Sequence, residues 1–419
     1  MDKIVINGPN ELRGKVAISG AKNAVLPIMA ATLLASGQFE ISNVPDLRDV
    51  KTMAHLLRIV GARVDFSDHT LRIDTRNCNF FEAPYELVKT MRASVYVLGP
   101  LVGRFGEAKV SLPGGCAIGT RPIDLHINGL KKLGAEITLK SGYVIAHAKK
   151  LNGAQINFDF SSVGATGNVL MASVLASGRT VIENAAREPE VTNLANFLVA
   201  MGADISGIGT NRLQITGVQK LVATDFDVIP DRIEMGTFLI AGAITGGEIE
   251  LNSVQPGLVG SLLGKLKESG VYIEEGASTI YCKAPPRVQS VNITTSSYPG
   301  FPTDLQAQWM ALMCFAQGSS VMTDNIFVDR FMHVAELRRL GAEIKLNENV
   351  AVVAGGSDLN GAQVMSTDLR ASACLILAGL KSQGRTEILR VYHLDRGYES
   401  IEKKLQALGA DIRREEGGY

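Results

Sequence analysis

Charge of one sign is what this sequence lacks most plainly, since 42 Lys and Arg are balanced by 42 Asp and Glu over 419 residues. A chain without net charge has no global electrostatic pull toward nucleic acid or an anionic membrane. Long hydrophobic runs are also missing. No apolar stretch is long enough to span a bilayer, and the start MDKIVINGPN has none of the basic-then-apolar pattern of a secretory signal. A cytoplasmic location is therefore expected. Cysteine is scarce and odd in number: Cys78, Cys116, Cys282, Cys314 and Cys374, with no C-x-x-C pair and no histidine at metal-ligand spacing. That argues against a disulfide framework and a zinc site, and no cluster implies a metal or organic cofactor. The six histidines, His126 and His333 among them, are scattered and read as structural or peripheral. SGAKNA lacks the spacing of a Walker loop, so a nucleotide triphosphatase is not indicated.

What is present is apolar material for two ordinary domains, 46% of the residues against 20% charged. One phrase recurs: LRIVGARV at Gly61, LKKLGAEI at Gly134, LVAMGADI at Gly202, LKESGVYI at Gly270, LRRLGAEI at Gly341 and LQALGADI at Gly409. The copies stand about 70 residues apart, the mark of a repeated structural unit. In each, an amphipathic helix ends at glycine and a short strand follows. Each copy is accompanied by a greasier helix: NAVLPIMAATLLASG, ASVYVLGPLVG, GNVLMASVLASG, MGTFLIAGAITGG, LQAQWMALMCFAQG and ASACLILAGLKSQG. A helix without a polar face must be buried on nearly all sides, and three such helices can share one core. Strands such as RLQITGV and NVAVVAGG alternate as half-buried strands do. The expected class is α/β, with three repeated units per domain, helices inside and sheets outside.

The last copy, LGADIRREEGGY, ends without the strands that follow the phrase elsewhere, while the opening INGPNELRGKVAIS matches AGGSDLNGAQVMST at 354–367. The N-terminal strands are thus expected to complete the sixth unit. Two three-unit domains result, one over 22–229 and one made of 1–21 with 230–419.

The starts of the greasy helices are polar: Lys22 and Asn23, Arg92, Ser162 with Val163 and Gly164, Asp231 and Arg232, Asp304, and Asp368 with Arg370. Ser162, Asp231, Asp304 and Asp368 each have two readings, a cap for free helix N–H groups or a site residue. The cations have less choice, because positive charge at the positive end of a helix dipole is unfavourable unless an anion lies between them. Arg48, Arg121 and Arg396 share one offset from the repeated glycine, and Arg330 lies close to it. Guanidinium groups clamp phosphate or carboxylate, so a shared anion site is expected. Between these starts, LPGGCAIGTRPID at 112–124 sets a lone thiol, Cys116, in a flexible run of Gly, Pro and small residues. The other four cysteines fall in strands or apolar helices and read as core.

Taken together, SGAKNA, APYELVKTMRAS, LPGGCAIGTRPIDLH, SSVGATGN, ENAAREPEV, PDRIEMGTF, FPTDLQAQ, RFMHVAELRRLGA, STDLRAS and YHLDRGYESIEKKLQALGA resemble, end to end, the bacterial UDP-N-acetylglucosamine 1-carboxyvinyltransferases. These are enolpyruvyl transferases that open peptidoglycan synthesis. The resemblance implies an inside-out α/β barrel in each of two domains. It also implies transfer of the enolpyruvyl group of phosphoenolpyruvate to the 3-hydroxyl of UDP-N-acetylglucosamine, through a tetrahedral intermediate, with release of phosphate. By motif, it implies that Lys22, Arg121 and Arg396 hold the donor's phosphate and carboxylate while Arg92, Arg330 and Arg370 complete the anionic pocket. Asn23 and Asp304 would contact the sugar. Arg121, Pro122, Ile123, Asp124 and Leu125, with Ser161, Ser162, Val163, Gly164 and Ile326, would line the nucleotide, and Asp368 joins the binding set.

The catalytic set implied is Cys116, Asp304, Lys22 and Arg396. Cys116 would protonate the methylene carbon of the donor from a closing loop, and would take the covalent adducts with phosphoenolpyruvate and with epoxide phosphonate inhibitors. One departure is visible. Family members often carry a lysine where this chain has Phe160, which implies the loss of one nucleotide contact without a change in chemistry.

The 5-enolpyruvylshikimate 3-phosphate synthases share the repeat and the donor but lack the cysteine loop, so PGGCAIGTRP separates the two families. A non-enzymatic repeat scaffold would explain six units but not cations at buried helix starts. A non-catalytic nucleotide-sugar-binding paralogue stays open, although every matched catalytic position is present.

Overall fold

Six helices with almost no exposed face organise the structure, a computed structural model that describes residues 2–88, 91–112, 123–356 and 358–417. They fall three to a unit, one unit formed by Gly20–Ile229 and the other by Met1–Ser19 with Pro230–Tyr419. In the first unit they are α1 (Lys22–Ala31), α2 (Leu98–Phe105, entered through a 3-10 turn at Arg92–Val97) and α3 (Val163–Ser173). In the second they are α4 (Arg232–Thr245), α5 (Gln306–Cys314) and α6 (Leu369–Lys381). All nine residues of α5 are buried, as is every residue of α4 after Arg232. Removing so much apolar surface from water, at about 25 cal/mol per Å², is what holds such helices at the centre. The trio α4, α5 and α6 pack on one another, and in the first unit α2 packs on α3. The approach is close: a Cβ on Gly236 of α4 would lie 2.4 Å from Leu305 Cδ1, so Gly236→Ala must push packed groups apart.

Each unit carries three four-stranded sheets outside its helices. The amphipathic helices of the repeat are Arg48–Ile59, Asp124–Lys132, Pro189–Ala200, Gly260–Glu268, His333–Arg339 and Ile401–Ala407. Gly61, Gly134, Gly202, Gly270, Gly341 and Gly409, just beyond them, all have φ between +91° and +105°. That is the left-handed turn that glycine enters without steric cost, which is why this one residue recurs.

Every sheet joins one parallel pair to antiparallel neighbours. Gln155–Asn157 lies parallel to Arg179–Glu183, which runs antiparallel to Arg212–Thr216, with Asp204–Ser206 beyond. Other sheets are closed by strands distant in sequence. Phe226–Asp227 pairs with Gln38–Ser42 in the first unit, and Arg13–Ala17 pairs with Glu248–Asn252 in the second. Lys3–Gly8 lies between Gly384–Leu389 and Ile412–Glu415, antiparallel to both. Buried helices and outer sheets, the arrangement expected from the repeats, are what the structure has. No described helix is long and apolar enough to cross a membrane.

Candidate active site

Four polar helix starts could be caps, and the geometry divides them. Ser162 Oγ accepts from the Ala165 N–H at 3.3 Å. Asp231 Oδ1 accepts from Ile233 and Glu234 at 2.8 and 3.1 Å, and Asp368 Oδ1 accepts from Arg370 and Ala371 at the same two distances. These three satisfy helix N–H groups that would otherwise have no partner. Asp304, in the 3-10 turn Thr303–Leu305 ahead of α5, takes no helix N–H. Its Oδ1 accepts from Arg330 Nη1 at 2.7 Å and its Oδ2 from Arg370 Nη2 at 2.8 Å. Both arginine side chains are buried, 8% and 5% exposed, and that of Asp304 is 26% exposed. Burial works to raise the Asp304 carboxyl, but Arg370 and Arg330 outweigh it and hold the group well below the usual carboxylate range. A carboxylate gripped on both oxygens is fixed in place, charged and oriented.

Two buried residues support this clamp. Asp324 accepts from Thr303 Oγ1 and Thr295 Oγ1, each at 2.7 Å, and from the N–H groups of Ile326 and Phe327 at 3.0 and 2.9 Å. Arg330 Nη1 also donates to Thr303 Oγ1 at 3.2 Å, so Asp324 ties the clamp to the loop that presents Ile326, which is 38% exposed. On the other side, the Tyr398 hydroxyl accepts from Arg370 Nη1 at 3.3 Å. Arg396, half-buried, ends the 3-10 segment Val391–Arg396 two residues before Tyr398.

In the first unit, Lys22 and Asn23 are the opening residues of α1, where no side chain caps the helix. The Lys22 ammonium stands 3.5 Å from Asp49 Oδ2, with side chains 12% and 4% exposed. Asp49, not its neighbour Arg48, is the inward residue of Arg48–Ile59, and Arg48 is exposed. Ile123 and Leu125 are part-buried around the exposed Asp124, and Ser161, Ser162, Val163 and Gly164 are part-buried as well. These two segments meet at a histidine: a Cβ on Gly164 would lie 3.1 Å from His126 Cε1 and Nε2.

Asn168 locks that ring. Its Nδ2 donates to His126 Nδ1 and to the Val95 carbonyl, both at 2.9 Å, and its Oδ1 accepts from the Gly99 N–H at 2.7 Å. Burial lowers His126 to about 4, so the ring is neutral at pH 7, with Nδ1 accepting and the proton on Nε2. Phe160 is 60% exposed. Cys116, Arg121 and Pro122 lie outside the described residues, as does the side chain of Arg92, whose backbone opens the 3-10 turn. Cys78, Cys282, Cys314 and Cys374 are buried and unbridged, and burial pushes the Cys282 and Cys314 thiols up to about 12. Thiols of that kind are poor nucleophiles.

Residues 6–405 match the EPSP synthase (3-phosphoshikimate 1-carboxyvinyltransferase) family. The UDP-N-acetylglucosamine 1-carboxyvinyltransferases of Chloroherpeton thalassium, Myxococcus xanthus and Geotalea uraniireducens are 58%, 57% and 56% identical to this chain. Each alignment covers 99% of the chain, and 97%, 100% and 99% of the respective relative. The chain belongs to the UDP-N-acetylglucosamine 1-carboxyvinyltransferase family. Among solved structures, the enolpyruvyl transferase NikO from Streptomyces tendae matches with a TM-score of 0.90 at 27% identity, over 99% of this chain and 98% of its own. EPSP synthase from Acinetobacter baumannii matches with a TM-score of 0.76 at 19% identity over 99% and 100%, a likeness of fold.

In this member of the carboxyvinyltransferase family, several residues behind the clamp are not singled out as site residues by the motifs, although all but Asp324 stand inside the motif stretches. Asp324, Tyr398, Gln308 and Thr237 support it in the second unit, and Asn168 with His126 joins two helix starts in the first. One signal was available. Thr237, Gln308 and Asn168 are polar residues inside otherwise apolar helices, and a buried polar group must find a partner.

Proposed function

We propose that this chain transfers the carboxyvinyl group of phosphoenolpyruvate to the 3-hydroxyl of UDP-N-acetylglucosamine, with release of phosphate, as the first committed step of peptidoglycan synthesis. One observation carries the reading beyond family membership: of four acidic or hydroxyl helix starts, Asp304 alone turns from its helix to two buried arginines. The donor is anionic at its phosphate and at its carboxylate, so several cations must hold it against its own repulsion. Lys22, Arg121 and Arg396 take those two groups, and Arg92, Arg330 and Arg370 complete the pocket. Asn23 and Asp304 meet the sugar. Arg121, Pro122, Ile123, Asp124 and Leu125 line the nucleotide with Ser161, Ser162, Val163, Gly164 and Ile326. Asp368 contributes as the cap that holds α6, and with it Arg370, in register.

In the addition half-reaction, the Cys116 thiol gives a proton to the methylene carbon, the sugar oxygen bonds to the neighbouring carbon, and the hydroxyl proton passes to Asp304. In the elimination half-reaction, the bond from that carbon to the phosphate oxygen breaks, the new methyl group returns a proton to the Cys116 thiolate, and the proton on Asp304 leaves with the phosphate, so that an enol ether and free phosphate remain and both side chains are restored. With arginine on both oxygens, Asp304 is a weak base until a substrate anion draws one guanidinium away. Donor binding and proton acceptance are then coupled. Cys116, as a nucleophilic thiol, is also the site for alkylation by an epoxide phosphonate. A cytoplasmic location accords with such a thiol and with the unbridged state of the four described cysteines.

The test is phosphate release from phosphoenolpyruvate. Release should require UDP-N-acetylglucosamine and ignore shikimate 3-phosphate. The opposite dependence would assign the reaction of the wider family instead, and no release with either acceptor would leave a nucleotide-sugar-binding protein.

A further inference from the structure

Arg370 is held from behind as well as in front. Toward the site its Nη2 donates to Asp304 at 2.8 Å, and away from it Nη1 donates to the Tyr398 hydroxyl at 3.3 Å. A guanidinium can only donate, so the phenol oxygen is the acceptor at that bond, and the Ile233 carbonyl, which can only accept, takes the Thr237 proton at the far end. The phenol oxygen accepts from Arg370 and from Gln308 Nε2, the latter at 3.3 Å, which sends its own proton to Thr237 Oγ1 at 2.7 Å. Thr237 then donates to the Ile233 carbonyl at 2.8 Å, and Gln308 Nε2 also donates to the backbone carbonyl of Asp304 at 3.0 Å. One phenol thereby joins α4, α5 and α6 at the end where Asp304 and Arg370 stand. The Tyr398 side chain is buried, the Arg370 guanidinium carbon lies 5.7 Å from its ring centroid, and the Tyr398 N–H donates to Leu394 at 3.0 Å. Phenylalanine would fill the same space. The hydroxyl is what packing alone does not explain.

We infer that Tyr398 is a positioning residue: its hydroxyl, backed by Thr237 and Gln308, aims the Arg370 guanidinium at Asp304. This rests on the proposed function for what the pair does, and on the hydrogen-bond geometry alone for how the pair is held. Tyr398→Phe keeps the ring and removes the aiming bond. In the full-length protein, side-chain nitrogen NMR should show hindered rotation of the Arg370 guanidinium, with the signal assigned through Arg370→Lys, and Tyr398→Phe should average it. The same variant should lose about a hundredfold in kcat, the scale of a misplacement near 1 Å, with KM for UDP-N-acetylglucosamine and the thermal transition little changed.

Thr237→Ser keeps the relay and should behave as wild type. Thr237→Val strands the phenol proton and should reproduce part of the loss, which keeps the question answerable even where Tyr398→Phe fails to fold. Hindered Arg370 rotation in Tyr398→Phe, or an unchanged kcat, overturns the inference. A wild-type protein that releases no phosphate overturns the functional reading instead, and leaves the rotation measurement to decide this one.

Discussion

Two buried histidines should make this protein lose stability on mild acidification. His126 is 7% exposed and His333 2%, and burial lowers each from the ordinary 6.5 to about 4. Around His333, Asp368 and Asp324 pull upward and Arg330 pushes downward, all less strongly than burial. Its Nε2 has no hydrogen-bond partner among the described residues, whereas His126 is held by Asn168. The unfolded chain takes up a proton on each ring near pH 6.5, and the folded chain resists until about pH 4. Between those values the unfolded state binds more protons, so stability rises with pH there. The contribution is complete above about 6.5 and is lost as pH falls toward 4.

At about 1.36 kcal/mol per pH unit, each histidine withdraws about 2 kcal/mol by pH 5. For a unit of about 200 residues, this lowers Tm by roughly 4–8 °C between pH 7.5 and pH 5. Calorimetry over that range on the wild type, His126→Gln, His333→Gln and the double variant isolates the effect, because glutamine offers a polar group that does not titrate. Equal slopes in the wild type and the double variant would refute the reasoning. So would histidine ring resonances that titrate near 6.5 in the folded protein.

Asp304→Asn keeps the shape and drops the charge, leaving Arg330 and Arg370 without their counter-ion. Turnover should fall at least about a hundredfold, as for loss of a general base, and thermal unfolding should register a loss of up to about 3 kcal/mol; unchanged turnover would make Asp304 a structural residue. For Cys116 acting chiefly as a proton donor, Cys116→Asp should keep measurable phosphate release and escape epoxide phosphonate labelling, while Cys116→Ala should be nearly inactive. Intact mass after inhibitor treatment reads this out, and a wild-type label on Cys78, Cys282, Cys314 or Cys374 would remove the reason for singling out the loop.

The repeated helices could be read from the sequence because each obeys a local rule. A helix that is apolar all round has to be central, and the glycine after each amphipathic helix sits in a turn that other residues enter at a steric cost. The clamp was legible only in part. Asp304, Arg330 and Arg370 stand out by their place at helix starts, but four side chains had equal claim to be caps. Only the fold shows which carboxylate has two guanidiniums within reach.

Arg48 teaches the limit of the repeat. It shares an offset with Arg121 and Arg396, yet it is exposed and Asp49 faces Lys22 instead. A repeat carries over backbone position, not surroundings. The relay behind Arg370 was beyond reach for another reason: Thr237 and Tyr398 are 161 positions apart and Gln308 and Tyr398 are 90, and no spacing rule spans such distances.

The pairing of Lys3–Gly8 has a consequence for how the protein is made. Ile4 is opposite Ile388 on one side and Arg414 on the other, so this strand leaves the ribosome long before either of its partners. Gly20–Ile229 is continuous in sequence and can close while the rest is still being translated. During that interval Ile4, Val5 and Ile6, all buried in the finished sheet, stand as an unpaired apolar edge. The discontinuous unit is then expected to be the slow one, because its contacts join strands far apart in sequence, and Lys3–Gly8 is the place where a nascent or overproduced chain is most open to pairing with a neighbour.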